Sequence, residues 1–134
     1  MTFSIFGTWA YRSFHRDPDL SSPVDKLLFG AGELVLKLDG PGLVIGSLGG
    51  EGWSLNLSGS YSLGAPNQVR FRGQGELNDE LWVYDYLAYL AEPWVNGVEE
   101  IPSLVGTIVR TVPHSKGKAK AGKVASWIAV KVLQ

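Results

Sequence analysis

Residues 53–63 run Trp, Ser, Leu, Asn, Leu, Ser, Gly, Ser, Tyr, Ser, Leu, an unbroken alternation of apolar and small polar side chains. Consecutive side chains of a strand point to opposite faces, so this segment reads as a strand with one face buried and one in water. Seven other stretches read as strands, and turn chemistry separates several of them. Strands in such succession leave two open edges unless the first pairs with the last. The expected fold is therefore all-β, a single up-and-down antiparallel β-barrel of about eight strands, with residues 1–134 as one domain.

The first strand is expected over residues 3–11, followed by a polar stretch with Asp17-Pro18 and Ser22-Pro23 that reads as a loop or one helical turn. Residues 33–38 and 43–48 form a hairpin around Asp39-Gly40-Pro41-Gly42. Asn78-Asp79 suits a two-residue turn between residues 69–77 and 81–90, which sets their register. Trp82 then lies opposite Gly75, Tyr84 opposite Gly73 and Tyr86 opposite Phe71, so that aromatic rings fill a strand short of side chains. The same register pairs Arg72 with Asp85 on the outer face. Residues 91–102 make a long irregular connection of the kind used as lids or interface arms. Residues 104–112 and 124–133 supply the last strands, and 124–133 closes the barrel against 3–11.

A net charge of −1 and a pI near 6.1 provide no overall basic field for nucleic acid. The basic loop at Lys116, Lys118, Lys120 and Lys123 has no aromatic for bases to stack on and reads as a solvated, mobile loop. Cysteine is absent, which removes disulfides, thiolate metal sites and thiol nucleophiles together. No metal site and no cofactor are expected. The N-terminus lacks a basic, long apolar leader, and no stretch has the ~20 apolar residues of a membrane span, so a cytoplasmic location is expected. Apolar residues on the outer faces of 81–90, 104–112 and 124–133 need a cover, which points to a homo-oligomer packed through those faces.

Gly7-Thr8-Trp9 at the head of the first strand resembles the Gly-x-Trp signature of the calycins, the lipocalin, fatty-acid-binding and avidin-like barrels. That resemblance implies a tryptophan plug at the closed end of the barrel under a basic side chain from a late strand, a part open to Arg110 or Lys131. The chain departs from those families in being short for a lipocalin and in lacking the helical lid and C-terminal Arg-x-Tyr pattern of fatty-acid-binding proteins.

The inner stripe of Trp82, Tyr84 and Tyr86, joined by Phe71 and Tyr61, either lines a cavity for an apolar or aromatic small molecule or fills a narrow core. Arg110 and His114 share a parity and are the candidates for proton transfer or for orienting a polar group, against the plainer reading of His114 as a solvated rim residue. Three functions fit. The first is a small-molecule-binding barrel. The second is a barrel cyclase or isomerase, comparable to allene oxide cyclases, that uses the cavity as a mould without covalent catalysis. The third is an assembly module with a solid interior.

Overall fold

A computed structural model describes residues 4–133 and shows eight antiparallel strands in a closed barrel, each hydrogen-bonded to its neighbours in sequence. The strands are β1 (Gly7–Phe14), β2 (Leu28–Leu38), β3 (Leu43–Gly50), β4 (Trp53–Ser62), β5 (Gln68–Leu77), β6 (Glu80–Leu90), β7 (Ser103–Arg110) and β8 (Val124–Lys131), with one short helix, α1 (Val24–Leu27), between β1 and β2. β1 pairs with β8 from Trp9↔Lys131 to Phe14↔Ser126, which is the expected seam. No helix among the described residues is long and apolar enough to cross a membrane.

β4 turns Leu55 and Leu57 into the core while Ser54, Asn56, Ser58, Ser60 and Ser62 face solvent. The β5–β6 hairpin has the expected register, with Gly75↔Trp82, Gly73↔Tyr84, Phe71↔Tyr86 and Arg72↔Asp85. Asn78 and Asp79 make its turn with φ of 53° and 62°, the left-handed pair a right-twisted hairpin requires. Arg72 donates from Nε and Nη2 to the two Asp85 oxygens at 2.8 and 3.0 Å, outside the barrel. The detail over Gly73 differs: the side chains nearest the space a Cβ would take are those of Leu57, Leu55 and Tyr86, and Tyr84 is not among them.

Several boundaries depart from expectation: β1 begins at Gly7, β7 and β8 stop at Arg110 and Lys131, and β1 and β2 reach further than read. Phe3 lies outside the described residues, and β1 continues past Tyr11 to Phe14 because Ser13 keeps the inward parity of Trp9 and Tyr11. β2 begins at Leu28, five residues before the expected Glu33. Gly30 and Gly32 belong to it, and Gly32 sits where a Cβ would fall 2.2 Å from the Gly49 carbonyl oxygen, a closeness of strands that only glycine permits.

One end of the barrel is shut by Trp9, which is fully buried and donates from Nε1 to the Ile5 carbonyl at 3.0 Å. Lys131 Nζ stands 4.8 Å from the centre of its ring, so Lys131 and not Arg110 is the cation on the plug. Arg110 ends β7 at the opposite end of the barrel. The loop at 91–102 hangs from the Trp9 end, where Ala91 bonds Ser103 and Lys131 bonds Pro102, so it does not cover the other mouth.

Candidate functional site

At the end away from Trp9, the inward residues of the strands leave a cavity of about 370 Å³. β1 and β2 make room there with small inward residues, Ser13 and Gly30, which face each other in register. Phe29, Trp53, Leu55, Leu77 and Ile108 supply apolar wall. Its floor is aromatic. Tyr86 stacks on Phe71 at 4.8 Å, Tyr11 lies 5.5 Å from Trp127, and Trp127 meets both Phe71 and Tyr86 edge-on. Trp127 is locked by a hydrogen bond from Nε1 to the Thr107 carbonyl at 2.9 Å. Nearer Trp9, Leu34, Leu36, Val44, Val69, Leu104 and Ala129 pack without solvent contact.

Polar groups gather in one corner. Arg110 donates from Nε to the Tyr84 hydroxyl at 3.0 Å and from Nη1 to the Lys120 carbonyl at 3.2 Å. Its guanidinium also lies over the rings of Phe29 and Tyr84, at 5.7 and 5.6 Å. The Tyr84 oxygen lies 2.9 Å from His114 Nε2, and His114 Nδ1 lies 2.9 Å from Ser115 Oγ. Because the Tyr84 oxygen already accepts from Arg110, its own hydrogen is free for Nε2, which assigns the His114 proton to Nδ1. Burial lowers the His114 pKa, the Arg110 charge lowers it further, and Glu80 opposes both. The imidazole is therefore neutral near pH 7, the form this chain of bonds needs.

His114 was expected as a solvated rim residue sharing a strand with Arg110, and both expectations are corrected. β7 stops at Arg110, and a tight turn bridged by His114↔Ala119 folds the imidazole back over the mouth. The ring is 4 % exposed and lies flat on Trp82, 3.5 Å between centres and 5° between planes. Glu80 holds this turn in place: its carboxylate accepts the backbone N–H groups of Ser115 and Lys116 at 2.9 and 3.0 Å. Both residues have positive φ, 56° and 57°, which aims successive N–H groups at one anion. The lysine loop is thus latched at its start, with Lys116, Lys118 and Lys120 exposed.

Of the candidates named from sequence, Trp82, Tyr84, Tyr86, Arg110 and His114 line this one cavity. Phe71 lies beneath Tyr86 in the floor, and Tyr61 packs edge-on against Phe6 at 5.2 Å, away from the cavity. Parity tells whether a side chain points in, but its height along the axis depends on strand tilt and stagger, which a single strand does not reveal. Tyr11 and Ser13 were legible as a continuation of Trp9's parity. Phe29 and Gly30 precede the strand read from Glu33 and belong to no element named from the sequence. Among the described residues no group of three His, Asp or Glu side chains is placed to hold a metal ion. Comparison with protein-family models, with curated proteins and with solved structures returns no match.

Proposed function

We propose that this protein is a calycin-like barrel that binds a small, flat, largely apolar molecule in the cavity above Tyr86. The observation that carries the reading is the hollow itself: about 370 Å³ walled by aromatic rings, with polar groups confined to the Arg110, Tyr84 and His114 corner. Small-molecule sites have this composition, broad apolar area with a few fixed polar groups that set orientation. The calycin likeness is supported by the Trp9 plug with Lys131 above it and by the simple strand order. The hollow weighs against an assembly module with a solid interior.

The test is calorimetric titration with 2-naphthalenemethanol, together with native mass spectrometry for any molecule that copurifies. Binding is expected in the wild type. Gly30→Phe is expected to weaken it at least about tenfold, because the new ring occupies the space a ligand needs. A Cβ at Gly30 meets only Ser13 Oγ, at 3.4 Å, so the new side chain starts into the hollow without striking backbone, and the melting temperature is expected to be kept. Full binding by Gly30→Phe would reject the site.

The bonded chain from Arg110 through Tyr84 to His114 favours a second reading, a cyclase or isomerase on the same cavity. A neutral imidazole can take the Tyr84 proton while Arg110 stabilises the phenolate, giving an acid–base tyrosine in the wall of the mould. Under this reading a copurifying molecule is converted on incubation with the wild type and retained unconverted by Tyr84→Phe.

Self-association through the outer wall of β6, β7 and β8 belongs to the proposal. Tyr89, Val105 and Ile128 are neighbours in register across these strands, and each is exposed. Light scattering at micromolar concentration is expected to show a dimer or larger, and a monomer would reject this part.

A further inference from the structure

Arg110 is 9 % exposed and has no carboxylate partner among the described residues, whose single ion pair is Arg72 with Asp85 on the outer surface. Of its five N–H bonds, one from Nε and one from Nη1 are used. Both Nη2 hydrogens and the second on Nη1 have no partner among the described residues. Its charge meets only a hydroxyl, a carbonyl and two ring faces. A buried cation without a counter-charge is destabilising, so its retention in a cavity wall calls for an explanation. Glu80, the carboxylate felt by His114, makes no ion pair with Arg110 and accepts instead from the Ser115 and Lys116 N–H groups.

A second donor without a partner belongs to a residue of the same wall. Trp82 Nε1 is closed off from solvent and has no hydrogen-bond partner among the described residues, and its indole carries the His114 ring that bonds Tyr84. The unfilled groups are thus all donors. A ligand made only of carbon and hydrogen would leave them unpaired, and a ligand offering a cation would meet the Arg110 charge. A planar carboxylate matches the guanidinium fork in shape and charge, and its oxygens can accept from the free Arg110 N–H groups.

We propose that the molecule held in the cavity is an aromatic or similarly flat monocarboxylate, with its carboxylate on Arg110 and its ring over the Tyr86 and Tyr11 floor. This rests on the binding reading above and names the class of ligand. The exposed lysines of the latched loop, Lys116, Lys118 and Lys120, place further positive charge on the segment that folds over the mouth.

Calorimetric titration with a matched pair of probes tests it: 2-naphthoate and its uncharged counterpart 2-naphthalenemethanol. The wild type is expected to bind naphthoate about ten- to a hundredfold more tightly, the range of a hydrogen bond to a charged group. Arg110→Met is expected to abolish that preference. Equal affinities in the wild type, or a preference that survives Arg110→Met, would overturn the carboxylate proposal and leave the cavity reading standing. Failure of both probes to bind would overturn both. The wild-type comparison decides the matter without a variant should Arg110→Met not fold.

Discussion

Trp9→Ala is expected to lower the unfolding free energy by about 3–5 kcal/mol, the range for deleting a large aromatic side chain from a closed core. Several interactions are lost at once. The indole is wholly buried, it faces Leu34 on β2 and Lys131 on β8 in register, and its N–H satisfies the Ile5 carbonyl. Lys131 would lose the ring beneath its ammonium while remaining bonded to the Ser4 and Phe6 carbonyls. Domains of this size hold only about 5–15 kcal/mol in total, so the variant is expected to be at the margin of folding at room temperature. Trp9→Phe keeps a ring for the lysine but leaves the Ile5 carbonyl without its donor, and roughly 1–3 kcal/mol is the expected loss. Trp94, 82 % exposed in the loop at 91–102, is the control, and Trp94→Ala is expected to fall within about 0.5 kcal/mol of wild type. Urea denaturation of the three variants provides the comparison. Similar losses for Trp9→Ala and Trp94→Ala would mean that Trp9 does not plug the barrel.

What made the barrel legible was local and periodic. The serine face of β4 and the Asn78-Asp79 turn each encode their geometry within a few residues, and a two-residue turn passes its register along the whole β5–β6 hairpin. Trp9 was likewise legible as a plug, while its cation stayed open between Arg110 and Lys131 until the barrel placed Lys131 over the ring. The cavity was only half legible, because it depends on which inward residues share a height, and on where small ones take the place of large ones. Gly30 and Ser13 are inconspicuous in the sequence, yet their smallness helps make the hollow. Tyr61 and Tyr84 look alike in parity and chemistry and lie in different parts of the barrel. The burial of His114 had a signal that strand logic overlooks: Glu80, 35 residues before Ser115, holds a turn with two left-handed residues and so folds the imidazole over Trp82.

The cavity floor carries a second large expectation, loss of stability in alkali. Burial pushes the Tyr11 hydroxyl up from 10 to about 12 against the opposing hydrogen bonds of Ser13 and Tyr86, and burial pushes Tyr86 well above its ordinary value, with the Tyr11 and Tyr84 phenols adding to it. The two rings are 6.3 Å apart, so ionising one makes ionising the other harder still. In the unfolded chain each releases its proton near pH 10. Between pH 10 and 12 the unfolded state therefore binds fewer protons than the folded one, and stability falls as pH rises. Tyr11 alone is expected to cost about 3 kcal/mol across that interval, with Tyr86 adding to it. Lys131 acts in the opposite sense, because burial lowers its pKa and its folded form sheds a proton more easily than the unfolded one. A single lysine of this kind does not offset two phenols buried in the floor. Tyrosinate absorbance followed alongside circular dichroism is expected to show a late, abrupt step that coincides with unfolding. Tyr11→Phe, which keeps the ring against Trp127 and removes the ionisable group, is expected to move that step to higher pH. A smooth titration centred near pH 10 with the fold intact would show that water reaches both hydroxyls, and the floor under the proposed ligand would then be open.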